Sequence, residues 1–144
     1  MATSIQVVFD CADPDRVAKF WATALGYKLQ DPPPGFATWE EFLTAQKVPQ
    51  ELWNSRSAVV DPAGNGPRLF FQQVPEPKTV KNRVHLDINA SQGFGVPLEE
   101  RKKQVNAEVE RLIGEGATKL RVGEEMSEYW IVMADPEGNE FCVH

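Results

Sequence analysis

The sequence is short of most features that announce a function. It has two cysteines, Cys11 and Cys142, too few for a secreted disulfide framework. No run of eighteen apolar residues occurs, so no membrane-spanning helix is expected. Met1-Ala2-Thr3-Ser4 leads into an alternating pattern without an apolar signal-peptide core, and the expected compartment is the cytoplasm. Fifteen basic residues stand against twenty-one acidic ones, a net charge of -6, and the basic residues are scattered, which argues against nucleic acid as a partner. There is no Gly-rich phosphate loop, no Gly-x-Ser-x-Gly elbow, no paired-cysteine zinc motif and no His-Glu-x-x-His. Histidine is scarce too: of two, only His85 lies within the body of the chain.

What is present is organised around His85. Arg83-Val84-His85-Leu86-Asp87-Ile88-Asn89 alternates with period two, which predicts a strand burying Val84, Leu86 and Ile88 and turning His85, Asp87 and Asn89 to the other face. Ile5 to Asp10 predicts another strand, packing Ile5, Val7 and Phe9. Asp13 then serves as N-cap with Pro14 at the first helical position, and Val17, Phe20, Trp21, Ala24 and Leu25 recur at helical spacing up to Gly26. Asp31-Pro32-Pro33-Pro34-Gly35 interrupts regular structure, and a short helix is expected near 38 to 47. Strands follow at Ser57 to Val60 and Arg68 to Val74, then a linker from Pro75 to Lys81. After the His85 strand come a Gly-rich turn at Gly93 to Gly95, a helix from about Pro97 to Ile113, and strands at Thr118 to Val122, Tyr129 to Met133 and Glu140 to His144.

An internal repeat fixes the expected architecture. Asp61-Pro62-Ala63-Gly64-Asn65 and Asp135-Pro136-Glu137-Gly138-Asn139 are one hairpin signal used twice, and both halves open strand then helix. At 144 residues the chain suits one core better than two, so we expect a single domain over 1–144 with a repeat of 4–75 and 82–144. The class is α+β, with the polar rows of the Gln6, His85 and Glu140 strands turned away from the helices and into one concavity.

The Asp13-Pro14 helix start with Phe20-Trp21 and Leu25-Gly26, the segment Lys81-Asn82-Arg83-Val84-His85-Leu86-Asp87, and the closing Asp135-Pro136-Glu137-Gly138-Asn139-Glu140-Phe141-Cys142 together resemble the glyoxalase-like branch of the vicinal-oxygen-chelate superfamily. The likeness covers nearly the whole chain. It implies tandem βαβββ modules forming a cup-shaped mixed sheet, a divalent metal or a ligand in its mouth, and a homodimer. The family's metal positions fall on Gln6, His85 and Cys142, the last standing where metal-dependent members have Glu. A thiol there suits a softer ion or none, and the competing reading of Cys142 is a small buried apolar residue.

Two functions lead, ahead of a third in which the chain is a small interaction or regulatory domain with a vestigial cleft. One is a glyoxalase-like enzyme, a lyase or isomerase acting on an oxygenated substrate, with His85 as its central group and Glu140, Asp87 or Asp10 moving the proton. The other is a non-catalytic protein of the bleomycin-resistance type that sequesters a small molecule. Trp39, Trp53, Phe71 and Trp130, with Phe36, are the aromatic candidates for contacting that small-molecule ligand.

Overall fold

A computed structural model describes residues 1–144. The chain divides into two compact units, Met1–Pro77 and Lys78–His144, and the division falls in the Pro75 to Lys81 segment. No helix is long and apolar enough to cross a membrane.

The first unit runs β1 (Val7–Cys11), α1 (Pro14–Leu25), β2 (Lys28–Leu29), α2 (Trp39–Ala45), β3 (Arg56–Val60) and β4 (Leu69–Gln73), with a 3₁₀ turn at Gln50–Ser55 before β3. Its four-stranded sheet has the order β1-β4-β3-β2, in which β1 lies parallel to β4 and the other neighbours are antiparallel. Helix α1 begins where the sequence requires. The Asp13 carboxylate accepts the Arg16 N–H at 3.2 Å and Gly26 closes the helix at φ 69°. Asn54, in the 3₁₀ turn, holds this start from outside: its amide donates to Asp13 at 2.8 Å and its carbonyl oxygen accepts the Asp15 N–H at 2.9 Å. The Asn54 hydrogen bond holds the Asp13 carboxyl below the ordinary range. The buried stripe of α1 places Trp21, with no exposed surface, 5.2 Å from the Phe9 ring, and Phe9 stacks on Phe71 at 5.2 Å.

The second unit runs β5 (Leu86–Ile88), a 3₁₀ turn at Gly93–Gly95, α3 (Leu98–Gly114), β6 (Thr118–Glu125), β7 (Glu128–Ala134) and β8 (Glu140–Val143). Its sheet order, β5-β8-β7-β6, repeats that of the first unit, again with a parallel pair formed by the first and last strands. The fold is therefore α+β, built of two βαβββ modules each carrying a mixed sheet. Both predicted hairpin turns are built alike. Asp61 accepts backbone N–H groups from Ala63, Asn65 and Gly66, and Asp135 accepts those of Glu137 and Asn139. The bonds to Asp61 hold its carboxyl below the ordinary range.

Three local expectations are corrected. Val84 is 81% exposed and Ile5 is 74% exposed, so neither packs. Alternation extends beyond the strands, whereas β5 finds a partner only through Leu86↔Phe141, Asp87↔Cys142 and Ile88↔Val143. Finally, β6 and β7 run longer than the pattern suggests and turn through Met126 and Ser127, both with positive φ (48° and 66°). That geometry suits a two-residue hairpin but is normally signalled by Asn-Gly.

Candidate functional site

Along β8, Phe141 and Val143 are fully buried, so Glu140 and Cys142 point to the opposite face of the sheet. Register then fixes their neighbours: Asp87 of β5 stands beside Cys142, and Val132 of β7 flanks it on the other side. His85 immediately precedes β5. Its Nδ1 lies 3.1 Å from Asp87 Oδ1, and His144 Nε2 lies 3.9 Å from Asp87 Oδ2. The ligand atoms of His85, Asp87 and Cys142 all lie within 4.8 Å of one another. They line a cavity of about 400 Å³ that also reaches His144, Trp130 and Arg101.

Cys142 and Glu140 are tuned by their surroundings. Burial pushes the Cys142 thiol up, and the Asp87 carboxylate adds to this, so the sulfur is a thiol at neutral pH. Lys81 holds Glu140 at 2.5 Å and keeps its carboxyl below the ordinary range. Glu140, expected to move a proton, is thus an ion-paired carboxylate that does not line the cavity. Trp130 is fixed by its cross-strand partner Gly123: a Cβ there would come within 2.1 Å of the indole, so the ring lies over bare backbone.

The remaining candidates belong to the first unit. Gln6 accepts a hydrogen bond from Arg68 Nη1 at 2.6 Å, and Asp10 accepts one from Gln72 at 2.7 Å. The indole N–H of Trp39 donates to Gln30 O, and that of Trp53 to Val48 O. Phe36 packs edge-on against Phe42. Phe71 corrects the aromatic reading: it has no exposed surface and stacks in the core, so packing rather than substrate contact accounts for it.

Arg101 was missed, although a signal existed. It occupies the position on α3 that continues the buried stripe Val105, Val109 and Leu112, where an apolar side chain would be expected.

The donor set of His85, Asp87 and Cys142 can be tested against the divalent ion that the fold implies. Tetrahedral zinc sites with nitrogen and sulfur ligands place ligand atoms roughly 3.3 to 3.7 Å apart, within a small side-chain adjustment of the arrangement found. One nitrogen, one oxygen and one sulfur suit a borderline ion better than a hard one. The residues therefore fit such an ion, with the Cys142 proton lost on binding.

Proteins of known structure share the fold. A glyoxalase/bleomycin resistance protein/dioxygenase family enzyme from Burkholderia phytofirmans is 15% identical, with a TM-score of 0.61 over 96% of this chain and 94% of its own. A hypothetical protein from S. aureus is 13% identical, with a TM-score of 0.60 over 99% of this chain and 96% of its own. A mutant of the fosfomycin resistance protein FosX from Listeria monocytogenes, complexed with Mn(II) and a dihydroxypropylphosphonic acid, is 10% identical, with a TM-score of 0.61 over 100% of this chain and 90% of its own. At such identities the likeness is one of fold, that of the vicinal-oxygen-chelate superfamily. No curated protein matches the sequence. The glyoxalase-like domain model matches residues 6–144, and the chain belongs to that family.

Proposed function

We propose that the chain is a glyoxalase-like small-molecule enzyme that moves a proton next to a carbonyl group of an oxygenated substrate, in lyase or isomerase chemistry, within the His85 cavity. The observation that carries this reading is the meeting of His85, Asp87 and Cys142 beside Trp130 in one cavity. Asp87 accepts the Nδ1–H of His85, which assigns the basic lone pair to Nε2 and holds the ring in one orientation. Trp130 supplies a flat apolar wall for the substrate. With a divalent ion bound, His85, Asp87 and Cys142 would hold it and the His85 lone pair would go to the ion instead of acting as base, the ion supplying Lewis-acid polarisation of a substrate oxygen.

The test is solvent exchange. The protein is incubated in D₂O with small α-hydroxyketones, 2-oxo acids and hemithioacetals, each with and without Zn(II), Ni(II) or Mn(II), and C–H loss is followed by NMR. Exchange with at least one compound is expected, falling roughly 10²-fold or more in His85→Gln. Compounds that perturb Trp130 without any exchange would favour the second reading, a sequestering protein. That reading draws on the protonated Cys142 and on the pairing of Glu140 with Lys81, which leave the last strand without the carboxylate ligand that metal-dependent members have there.

A homodimer is part of the same proposal. The edge strand β6 leaves Leu120 and Val122 about half exposed, which is costly in a monomer. Sedimentation is expected to give twice the 16.1 kDa chain mass, and a monomer at micromolar concentration would refute it.

A further inference from the structure

Arg101 is a cation with most of its donors unused. It is 9% exposed and sits in the first turn of α3, above Val105 and Val109 on the buried stripe. Its Nε donates to Val96 O at 3.2 Å, and its guanidinium lies 4.8 Å from the centroid of the Phe94 ring. No Asp or Glu pairs with it, although the neighbouring Lys102 and Lys103 each hold a carboxylate on the same helix. A guanidinium carries five N–H donors, so the Val96 bond leaves the four on Nη1 and Nη2 without a partner on the chain. No fully buried side-chain nitrogen lacks a partner, so these terminal nitrogens are open, and the space that Arg101 lines is the His85 cavity.

A buried charge without a counter-charge is expensive, and helix α3 could place a leucine or methionine at this position with less desolvation. The fork of a guanidinium matches a planar two-oxygen anion, and the Phe94 face holds that fork in a fixed orientation. We infer that Arg101 is an anion-recognition residue of the cavity, taking the carboxylate of a small substrate whose apolar body lies against Trp130 and whose reactive end is presented to His85. This rests on the reading of the cavity as the substrate site and adds the class of substrate, an anionic one. Asp87 and Glu128 also border the cavity. They repel an anion elsewhere and so confine its charged end to Arg101.

The test compares phenyl ligands that differ in the charge and geometry of the head group. Benzoate, phenylphosphonate and neutral benzamide are titrated calorimetrically into the parent, Arg101→Met and Arg101→Lys. Methionine keeps the length and apolar stem, so Arg101→Met is expected to melt at or above the parent, which checks folding independently. The parent is expected to bind benzoate at least tenfold more tightly than benzamide, with the preference erased in Arg101→Met and partly kept in Arg101→Lys. Stronger binding of phenylphosphonate than of benzoate would move the assignment from carboxylates to phosphonates and overturn it as stated. Equal affinity for benzoate and benzamide, a preference that survives Arg101→Met, or failure of all three to bind at millimolar concentration would overturn it as well. The enzymatic reading fails by a different result, the absence of exchange at His85, which leaves a charge preference at Arg101 untouched.

Discussion

In the first unit Arg68 donates to both Gln6 and Gln30, and Gln72 donates to Asp10, so the polar row beside β1 and β4 is tied to itself. In the second unit, around a sheet of identical strand order, Asp87 bonds His85 at 3.1 Å with His144 3.9 Å away, Cys142 holds its proton, and Arg101 on α3 keeps four donors open. The same backbone thus carries one row whose polar groups satisfy one another and one whose groups still await a partner. Fold alone does not distinguish them. What marks the proposed site is unspent bonding capacity at the wall of a cavity.

The largest test of that contrast is in the first core. Phe71→Ala removes a fully buried ring stacked on Phe9 and is expected to cost about 3–5 kcal/mol in denaturant unfolding, with benzoate affinity unchanged in the folded fraction. A mild loss of stability accompanied by lost binding would return Phe71 to a substrate role. Next comes Gly123→Ala, whose added methyl meets the Trp130 indole. The clash is expected to cost about 1–3 kcal/mol and to weaken ligand binding through displacement of the ring. Unchanged binding would remove Trp130 from the cavity wall.

His85→Gln should change stability by no more than about 0.5 kcal/mol, because the side chain is 43% exposed and bonded only to Asp87. Exchange activity and metal binding should nevertheless be lost. A variant that melts far below the parent yet still binds would make His85 a structural residue. The smallest effect concerns Glu140, whose carboxyl is lowered first by the Lys81 hydrogen bond. A lowered carboxyl contributes stability above its unfolded value, and the contribution is lost as pH falls through the folded one. Lys81→Met should therefore melt slightly below the parent at neutral pH and match it once both carboxyls are protonated. Identical melting at every pH would show that this surface pair contributes nothing measurable.

Much of this was legible in the residues. Asp13, Pro14 and Gly26 set the bounds of α1 because caps act locally, and the two Asp-Pro hairpins showed the repeat because each Asp organises its own turn. Strand ends were less legible: Ile5 and Val84 continue the alternation, but a strand exists only where a neighbour completes its hydrogen bonds, and sequence does not show where β8 stops pairing with β5. The Met126-Ser127 turn lacked any turn signal because the long β6–β7 ladder, rather than local preference, imposes its positive φ angles. At the candidate site, His85, Asp87 and Cys142 could be placed on one face by counting, whereas Trp130 was legible only as an aromatic candidate. Arg101 could not be linked to them in that way, since its approach depends on how the α3 N-terminus meets the cavity. The charge on an otherwise apolar stripe was the available sign.

The parallel pairing of first and last strands has a kinetic consequence. In each unit the middle elements are contiguous in sequence, whereas β1 with β4 and β5 with β8 join the unit's ends. Such pairings require the greatest loss of chain entropy and form slowly. Asp87 rides on β5 and Cys142 on β8, so the cavity wall does not exist until the second unit closes. A ligand or ion bridging those strands therefore acts as a latch: it leaves the folding rate nearly unchanged and slows unfolding, because only the closed unit can bind it.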